Sequence, residues 1–212
     1  GCKELILIAQ DTTYYGVDLY GEFRLAKLLK KLCRIEGIEW IRLMYCYEDR
    51  ITDELIQVMA EEPKICHYLD IPIQHASDSV LKAMNRRSTM ESIKGTMARL
   101  KAAMPDIHIR TTLIVGFPGE TEEDYDQLVE FVEDERFARL GVFAYSQEEG
   151  TEAGDREDQI DEDTKEVRLD GIMRRQLDIS LAYNQEKVGQ VFEVMVDEMD
   201  EDGSYLGRTR YD

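Results

Sequence analysis

Polar side chains that could grip a small ligand follow several apolar, strand-like runs of this sequence. They occur at four places: Gln10-Asp11-Thr12, Gln74-His75, Thr111-Thr112 with the Gly116 turn, and Tyr145-Ser146. The carboxamides of Gln10 and Gln74 offer hydrogen-bond donors and acceptors without charge, which suits a zwitterionic or nucleoside ligand. Because ligands of α/β proteins bind at the carboxyl ends of strands, we expect these groups to form one site.

The segment 107–125 is the one around which this site is expected to form. Residues 107–115 are largely apolar and β-branched, which is typical of a strand covered on both faces. A turn with two glycines interrupts the run at 116–119, and Thr121 is placed to cap the helix that follows. The alternative is an ordinary strand–helix turn, because short glycine motifs are weak evidence of a binding site.

Three further residues near the strand ends have both a functional and a structural interpretation. Glu120 could stabilise the glycine-rich turn or simply be an anion at a helix start. His75 could be a base or a ligand, although such a histidine is more often a hydrogen-bonded structural residue. Arg86 could clamp a carboxylate or be a solvated loop cation. No Ser/His/Asp, paired-carboxylate or Walker pattern is present, so these residues predict a small-ligand protein without specifying its reaction.

Strand-like and helical patterns alternate along most of the chain, and these elements must position the candidate residues. One strand and one helix recur in roughly every 30 to 40 residues, which predicts a parallel sheet with right-handed crossovers. Five such units are too few for a closed eight-stranded barrel, so we expect an α/β fold with an open, partial barrel. Ser88 and Glu91 are expected to form a capping box for one of the helices.

Three regions are predicted along the chain. Residues 1–155 are expected to form the partial barrel, and residues 156–190 an acidic linker with a long docking helix. Its predicted docking stripe is apolar: Leu169, Ile172, Met173, Leu177 and Leu181. Residues 191–212 contain two strand-like runs around a turn. Since a two-stranded hairpin is barely stable alone, this region is expected to be the start of a truncated β-domain.

Composition limits the kinds of protein and of binding partner that this sequence can represent. The chain has 212 residues, is 43% hydrophobic and carries a formal net charge of −19. This acidity argues against the chain providing the main binding surface for DNA or RNA, and a basic protein partner fits better. Its longest apolar runs are strand-sized and it opens without a signal peptide, so we expect a cytoplasmic protein without a membrane span. The absent starting Met suggests a piece of a longer protein.

The four cysteines are too widely spaced to form a metal-binding motif: Cys2, Cys33, Cys46 and Cys66. In a chain of this character they are expected to be free thiols, partly buried. The sequence therefore predicts no metal site within these residues.

Three longer segments resemble the radical S-adenosylmethionine methylthiotransferases. They are Leu-Asp-Ile-Pro-Ile-Gln-His-Ala-Ser at 69–77, Leu-Lys-Ala-Met-Asn-Arg at 81–86, and Ile-Val-Gly-Phe-Pro-Gly-Glu-Thr-Glu-Glu at 114–123. Residues 8–13 and 74–77 resemble the branch that modifies a ribosomal protein rather than the tRNA branch. Residues 197–203, followed by Gly207-Arg208, resemble the start of that branch's C-terminal TRAM domain. The resemblance covers essentially the whole chain.

The resemblance implies a fold, a reaction and cofactors. The fold would be a partial (β/α)6 barrel of the radical-enzyme type, of which five strands are expected here. The reaction would add a methylthio group to the β-carbon of an aspartate in a basic small-subunit ribosomal protein, number twelve of its series. S-adenosylmethionine and two [4Fe-4S] clusters would be the cofactors. Neither DNA nor tRNA is expected as a partner.

The resemblance also implies roles for the candidate residues, by analogy of strand position. Gln10 and Gln74 would hold the methionine end of S-adenosylmethionine, and Thr111, Thr112 and Gly116 would line its ribose and adenine. The residues that would face cofactor or substrate are Asp11, Arg86 and Tyr145. No residue is assigned as catalytic.

The sequence departs from the family at the cluster. The family's three-cysteine loop follows the first barrel strand, and this sequence begins after that point. None of the four cysteines replaces it by spacing, so this chain alone is expected to bind no cluster and to be inactive. Stoichiometric iron and cleavage of S-adenosylmethionine would contradict this expectation. The open edge left by a missing first strand could pair with another chain.

Two alternatives remain open at this point. One is a tRNA-adenosine methylthiotransferase with the same chemistry, which a comparison of tRNA gel shift with ribosomal-protein pull-down would distinguish. The other is a cluster-free interaction domain on a radical-enzyme scaffold. A three-cysteine loop in the upstream coding sequence would favour the enzyme.

Overall fold

The computed structural model describes residues 1–211, which form two compact units. The first unit contains Gly1–Asp70, Arg99–His108 and the chain from Lys187 onward, and the second contains Ile71–Ala98 and Ile109–Glu186. The strands are β1 (Glu4–Leu7), β2 (Trp40–Leu43), β3 (Ile65–Asp70), β4 (His108–Val115), β5 (Arg139–Ala144), β6 (Val194–Met199) and β7 (Tyr205–Thr209). The helices are α1 (Val17–Tyr20), α2 (Leu25–Leu32), α3 (Asp53–Glu61), α4 (Asp78–Ala83), α5 (Met90–Ala103), α6 (Glu122–Glu135) and α7 (Glu162–Gln185).

The first unit contains three parallel strands in chain order. β1 pairs with β2 from Glu4↔Trp40 to Leu7↔Leu43, and β2 pairs with β3 with a register shift along the ladder. All four residues of β2 are buried, as expected for a strand covered on both faces. Thr52 caps α3, since its hydroxyl accepts a hydrogen bond from Leu55 N at 3.2 Å.

The antiparallel hairpin β6–β7 belongs to the first unit and is held by a buried charge network. Arg42 donates from Nε to Glu4 Oε1 at 2.9 Å and from Nη2 to the carbonyl of Thr209 at 3.0 Å. Arg208 donates to the second Glu4 oxygen and to both Asp197 oxygens, and these partners raise the pKa of its guanidinium. Glu4 therefore joins two arginines, one on β2 and one on β7.

The second unit is built on the parallel pair β4–β5, which runs from Arg110↔Arg139 to Val115↔Ala144. The segment 71–74 lies along β4, although Pro72 lacks an N–H. Gln74 N donates to the carbonyl of Thr112 at 2.9 Å, and Ile114 N donates to the carbonyl of Gln74 at 2.7 Å. This irregular ladder agrees with the predicted effect of Pro72 on regular pairing.

Two local predictions about the helices differ from the structure. α5 begins with a reciprocal pair between Thr89 and Ser92, at 2.9 and 3.2 Å, in place of the predicted capping box. The predicted apolar stripe of α7 is confirmed at Ile172, which is fully buried, while Leu169 and Met173 are half-buried and Leu177 and Leu181 are exposed. The other buried residues of this helix are polar: Lys165, Arg168 and Gln176. Charge and hydrogen bonding therefore hold α7 together with Ile172, and hydrophobic periodicity does not report polar contacts.

The predicted fold class is confirmed, with five parallel strands alternating with helices, three in the first unit and two in the second. The long helix and the C-terminal hairpin are also present. The two domain boundaries, after residues 155 and 190, stay predictions. None of the helices between residues 1 and 211 combines the length and apolar character that a membrane span requires.

Candidate functional site

A cavity of about 630 Å³ lies within the second unit. Its volume falls within the range of roughly 300–1,000 Å³ that is usual for small-molecule sites. The lining residues that bear on its chemistry are Gln74, Arg86, Ile114, Phe117, Tyr145 and Arg156. Three residues predicted from sequence as ligand-facing are therefore brought together here, namely Gln74, Arg86 and Tyr145.

Gln74 is held by its backbone and has an unused acceptor. Its φ of 76° is in the left-handed region, which is unfavourable for a residue with a side chain. Two hydrogen bonds to β4 keep the backbone in this conformation. Within residues 1–211 the buried oxygen Oε1 has no hydrogen-bond partner. A strained residue with an unsatisfied buried acceptor is typical of a ligand site.

Tyr145 supplies a second unsatisfied polar atom. It directly follows β5, and its N–H donates to the carbonyl of Val115 at 2.9 Å. Its ring meets Phe117 edge to face, with 5.2 Å between ring centroids, and Lys165 Nζ lies 5.5 Å from the ring centroid. Its hydroxyl is buried and has no partner among the residues that the structure describes. The ring is therefore fixed by packing while the hydroxyl stays available.

Arg86 is positioned by the irregular chain after α4. Its backbone N–H donates to the carbonyl of Leu81 at 2.9 Å, and Nη2 donates to the carbonyl of Pro72 at 2.8 Å. The preceding Asn85 has a positive φ of 57°, which turns the chain at this point. Arg86 thus adds a guanidinium to the cavity lining, next to a segment that also carries Gln74.

Glu120 stabilises the glycine-rich turn, as one of its two interpretations predicts. Its Oε2 accepts hydrogen bonds from Gly116 N at 2.6 Å and Phe117 N at 3.2 Å. Its Oε1 accepts from Arg168 Nη1 at 3.0 Å, and both side chains are buried. A buried carboxylate bound to two N–H groups and a guanidinium fixes the turn that carries Phe117 into the cavity wall.

Gly116 is required by its conformation and by α7. Its φ is +71°, and a Cβ at this position would collide with Cγ of Lys165. The aliphatic stem of Lys165 therefore covers Gly116 Cα. Its Nζ donates to Glu162 Oε1 at 2.6 Å. A contact of Gly116 with a cofactor stays a prediction.

His75 uses one of its two ring nitrogens within the chain. It is fully buried, and Nδ1 accepts a hydrogen bond from Ser77 N at 3.0 Å. Its Nε2 lies 3.7 Å from Glu120 Oε2, too far for a hydrogen bond, and has no hydrogen-bond partner among the described residues. The Nδ1 contact agrees with the structural interpretation, and a role of Nε2 as a base or ligand stays a prediction.

Asp124 organises the start of α6 beside the same segment. Oδ1 accepts hydrogen bonds from the hydroxyls of Ser77 and Ser79, and Oδ2 accepts from Thr121 N at 2.9 Å, which completes a capping box. Burial raises the pKa of the Asp124 carboxyl, but these hydrogen bonds outweigh burial and hold it below its usual value of 3.8. The carboxylate is therefore a structural anion.

The two threonines of β4 do not line the cavity. Thr111 is fully buried, and its hydroxyl donates to the carbonyl of Ile71 at 2.9 Å. Thr112 uses its carbonyl to accept from Gln74 N. The side chains that face the cavity from this region are Ile114 and Phe117, which sequence reasoning missed. Side chains alternate between the two faces of a strand, so counting back two residues from the Gly116 turn could have indicated Ile114.

Gln10 and Asp11 lie in the first unit, after β1. Gln10 is exposed. Asp11 accepts a hydrogen bond from Tyr14 N at 3.2 Å and forms an ion pair with Arg50. Asp11 therefore caps a short 3₁₀ turn, and its role toward cofactor or substrate stays a prediction.

The described residues do not fit an iron–sulfur cluster. No group of three His, Cys, Asp or Glu side chains between residues 1 and 211 could hold a metal ion. Burial raises the pKa of the Cys46 thiol to about 12 and also raises that of Cys66. Both thiols are fully buried in the core, so neither is presented to a ligand.

Comparison with known proteins identifies similar sequences. Residues 1–132 match the family model described as the Radical SAM superfamily. A protein of Desulfitobacterium hafniense (strain Y51), named ribosomal protein uS12 methylthiotransferase RimO, is 54% identical over 212 residues, which are 100% of this chain and 48% of that protein. One of Clostridioides difficile (strain 630), with the same name, is 52% identical over 212 residues, again 100% and 48%. The chain spans about half the length of the relatives it matches.

Solved structures support the fold. Coproporphyrinogen III oxidase (HemN) of Escherichia coli, described as a Radical SAM enzyme, matches with a TM-score of 0.60 and 17% identity, over 87% of this chain and 40% of that one. The radical S-adenosylmethionine methyltransferase TsrM of Kitasatospora setae matches with a TM-score of 0.52 and 14% identity, over 66% and 27%. At these identities the likeness concerns the fold alone, and it agrees with a partial barrel.

Proposed function

The chain belongs to the Radical SAM superfamily, and we propose that it is the barrel part of a methylthiotransferase acting on ribosomal protein uS12. The product would carry a methylthio group on the β-carbon of an aspartate. The observation that carries the proposal is the 54% identity, along the whole of this chain, to a relative named for that activity. The sequence resemblance at residues 8–13 and 74–77 points to the same branch. The proposed substrate implies a cytoplasmic protein.

We propose S-adenosylmethionine as the ligand of the cavity in the second unit. The residues present fit it, because an amphipathic zwitterion needs both polar partners and apolar walls. Gln74 Oε1 can accept from an ammonium group, and the Tyr145 hydroxyl and the Arg86 guanidinium can bind carboxylate or ribose oxygens. Ile114 and Phe117 offer apolar surface to the adenine. When bound, S-adenosylmethionine supplies the hydrogen-abstracting radical chemistry of the superfamily.

Four other residues stay proposed cofactor contacts on the resemblance alone: Gln10, Thr111, Thr112 and Gly116. Asp11 stays proposed as substrate-facing. The resemblance implies two [4Fe-4S] clusters for the whole enzyme. We assign none of their ligands to residues 1–211. The net charge of −19 complements a basic ribosomal protein as the partner.

A chimera tests the proposed function. This chain would replace the matching 48% of the Desulfitobacterium hafniense relative, and the product would be incubated anaerobically with reductant, S-adenosylmethionine and purified uS12. Mass spectrometry should locate a methylthio group on an aspartate of uS12. The Gln74→Ala chimera should lose most of this activity, while Gln57→Ala, exposed on α3, should keep it.

Three outcomes would contradict the proposal. The chimera could assemble its clusters and leave uS12 unmodified. It could transfer the methylthio group to tRNA instead, which would favour the tRNA branch. Gln74→Ala could remain as active as the control, which would remove the cavity from the reaction.

A further inference from the structure

The first unit carries a concentrated basic surface in an acidic chain. Residues 24–34 contain five basic side chains and no acidic one, whereas the whole chain has 26 Lys and Arg against 45 Asp and Glu. The five residues, which we call the basic face of α2, are Arg24, Lys27, Lys30, Lys31 and Arg34. With about 100° of rotation per residue, Lys27, Lys30 and Lys31 fall within one arc of roughly 100° on the helix, while Arg24 is its N-cap and Arg34 lies two residues past its last residue.

The fold turns this face outward. Leu25, Ala26 and Leu29 are the buried residues of α2, and they occupy the opposite arc. A solvated helix face normally mixes both signs of charge, because like charges repel. The helix dipole also disfavours cations at the first turn, where Arg24 and Lys27 lie. The dipole favours Lys30 and Lys31, which lie in the last turn, so helix stability accounts for part of this face and not for its single sign along the whole length.

Most of this positive charge is not neutralised within the chain. Arg24 Nε and Lys27 Nζ share one carboxylate, with Glu22 Oε1 at 2.8 and 3.0 Å. In the part of the chain that the structure describes, Lys30, Lys31 and Arg34 form no ion pair. Three cations therefore remain available to an external anion.

Two tyrosines complete a shallow pocket of about 140 Å³ beside the basic face. Its lining comprises Tyr15, Tyr20, Arg24, Lys27, Leu28 and Lys31. The Arg24 guanidinium lies 4.0 Å from the ring centroid of Tyr20, whose side chain is 51% exposed. Cations that bind phosphates, next to rings on which bases can stack, are the two elements of single-strand nucleic-acid binding.

We propose that the basic face of α2, with Tyr15 and Tyr20, binds the phosphodiester backbone of single-stranded RNA. The cations bind phosphate oxygens, and an exposed tyrosine ring stacks on a base. The choice of RNA as the ligand rests on the proposed function, since ribosomal proteins are assembled with RNA. The binding of phosphate groups by this face does not depend on the proposed function. Insertion into a membrane is disfavoured because the apolar arc of α2 is buried in the first unit.

Fluorescence anisotropy with the full chain and a labelled single-stranded RNA tests this proposal over a range of salt. Phosphate contacts from the three cations without an ion pair would give a slope of log K against log salt of about −2, at roughly −0.7 for each contact on a single strand. The variant K30E/K31E/R34E should lose at least tenfold in affinity at low salt, and its slope should become shallower by about 2. Tyr20→Ala should weaken binding and leave the slope unchanged.

The matched control is K82E/R87E/R174E, which changes the net charge equally on exposed positions of the second unit. It should bind RNA within about twofold of the parent chain, and circular dichroism should confirm that both variants are folded. The proposal would be overturned if both variants lost affinity equally, or if binding did not depend on salt. It would also be overturned if polyglutamate or anionic vesicles bound more tightly than RNA. DNA of the same sequence should bind with similar affinity, because phosphate contacts and stacking do not read the 2′-hydroxyl. Gln74→Ala should bind RNA normally, which separates this result from that of the proposed function.

Discussion

Gln74 and Tyr145 each bury a polar atom that has no partner among the described residues. An unsatisfied buried polar group costs about 1–3 kcal/mol, and the great majority of such groups in native proteins are satisfied. Both atoms belong to residues that line one cavity, where a bound ligand can supply their partners. The φ of Gln74 is 76°, an unfavourable conformation that the surrounding structure holds in place.

Sequence reasoning identified these two residues but not their surroundings. Strand-end position and side-chain type were enough to single out Gln74, Arg86 and Tyr145. Thr111 was also predicted to contact the cofactor, yet its hydroxyl donates a hydrogen bond to the carbonyl of Ile71. The sequence could not indicate this, because residues 71–74 run beside β4 through an irregular ladder around Pro72.

At the same scale, the Asp124→Asn variant should change the pH dependence of stability. The folded pKa of Asp124 lies below 3.8, so its stabilisation is present above the unfolded pKa and is lost as pH falls through the folded pKa. The parent should exceed the variant by about 1.5–3 kcal/mol at pH 7, since charged hydrogen bonds are lost. The difference should shrink below about pH 4. Urea unfolding at several pH values measures it.

Asp126→Asn is the control, because Asp126 is exposed on the same helix. It should follow the parent at every pH. A parent–variant difference for Asp124→Asn that grows as the pH falls would contradict the assignment of a lowered pKa.

At the scale of elements, α7 stabilises the turn that shapes the cavity. Arg168 donates to Glu120, and Tyr125 Oη of α6 donates to the carbonyl of Arg168 at 3.0 Å. Lys165 covers Gly116. The sequence predicted a docking helix here but assigned its contact face to leucines. Periodicity finds apolar faces only, and this helix docks through polar side chains that look like ordinary surface residues.

Gly171→Ala tests this docking. A Cβ at 171 would collide with Tyr125 Oη, and such overpacking costs about 1–3 kcal/mol, more than the gain in helix propensity of about 1 kcal/mol. Thermal unfolding should show a lower midpoint for the variant. Adding Tyr125→Phe should recover most of the loss.

Gly95→Ala in α5 is the matched control, because an added Cβ there meets nothing within 4 Å. It should raise stability by about 0.5–1 kcal/mol through helix propensity alone. If Gly171→Ala stabilises the protein as Gly95→Ala does, α7 does not pack on α6 as described.

The β6–β7 hairpin gives a second prediction at this scale. The side chains of Arg42 and Glu4 are only 4% and 5% exposed, so Glu4→Gln leaves buried positive charge without its counter-ion. Such a change costs about 3–5 kcal/mol. Hydrogen exchange measured by mass spectrometry should be faster in β6 and β7 than in the parent.

Lys3→Gln is the control for the hairpin, because the ion pair of Lys3 with Glu39 lies on the surface. Surface pairs contribute roughly 0–1 kcal/mol, so exchange should stay near that of the parent. Unchanged exchange of the hairpin in Glu4→Gln would show that the buried network does not hold it.

At the scale of the whole molecule, net charge is a poor guide to local surfaces. The value of −19 led to the expectation of a basic protein partner and no main contact with nucleic acid. The same chain nevertheless concentrates five cations on α2. The fold class followed from the alternation of strands and helices, whereas the position of charged faces depends on which side of each helix is buried.

Binding of S-adenosylmethionine in the cavity of the second unit can be measured by NMR titration of the isotope-labelled chain. Titration should give saturable shifts, with a Kd below about 1 mM, for the Gln74 carboxamide and for the amides of Ile114, Phe117 and Tyr145. These shifts should disappear in Gln74→Ala and persist in Gln57→Ala. Absence of saturation, shifts only outside the cavity, or an unchanged titration of Gln74→Ala would contradict the account.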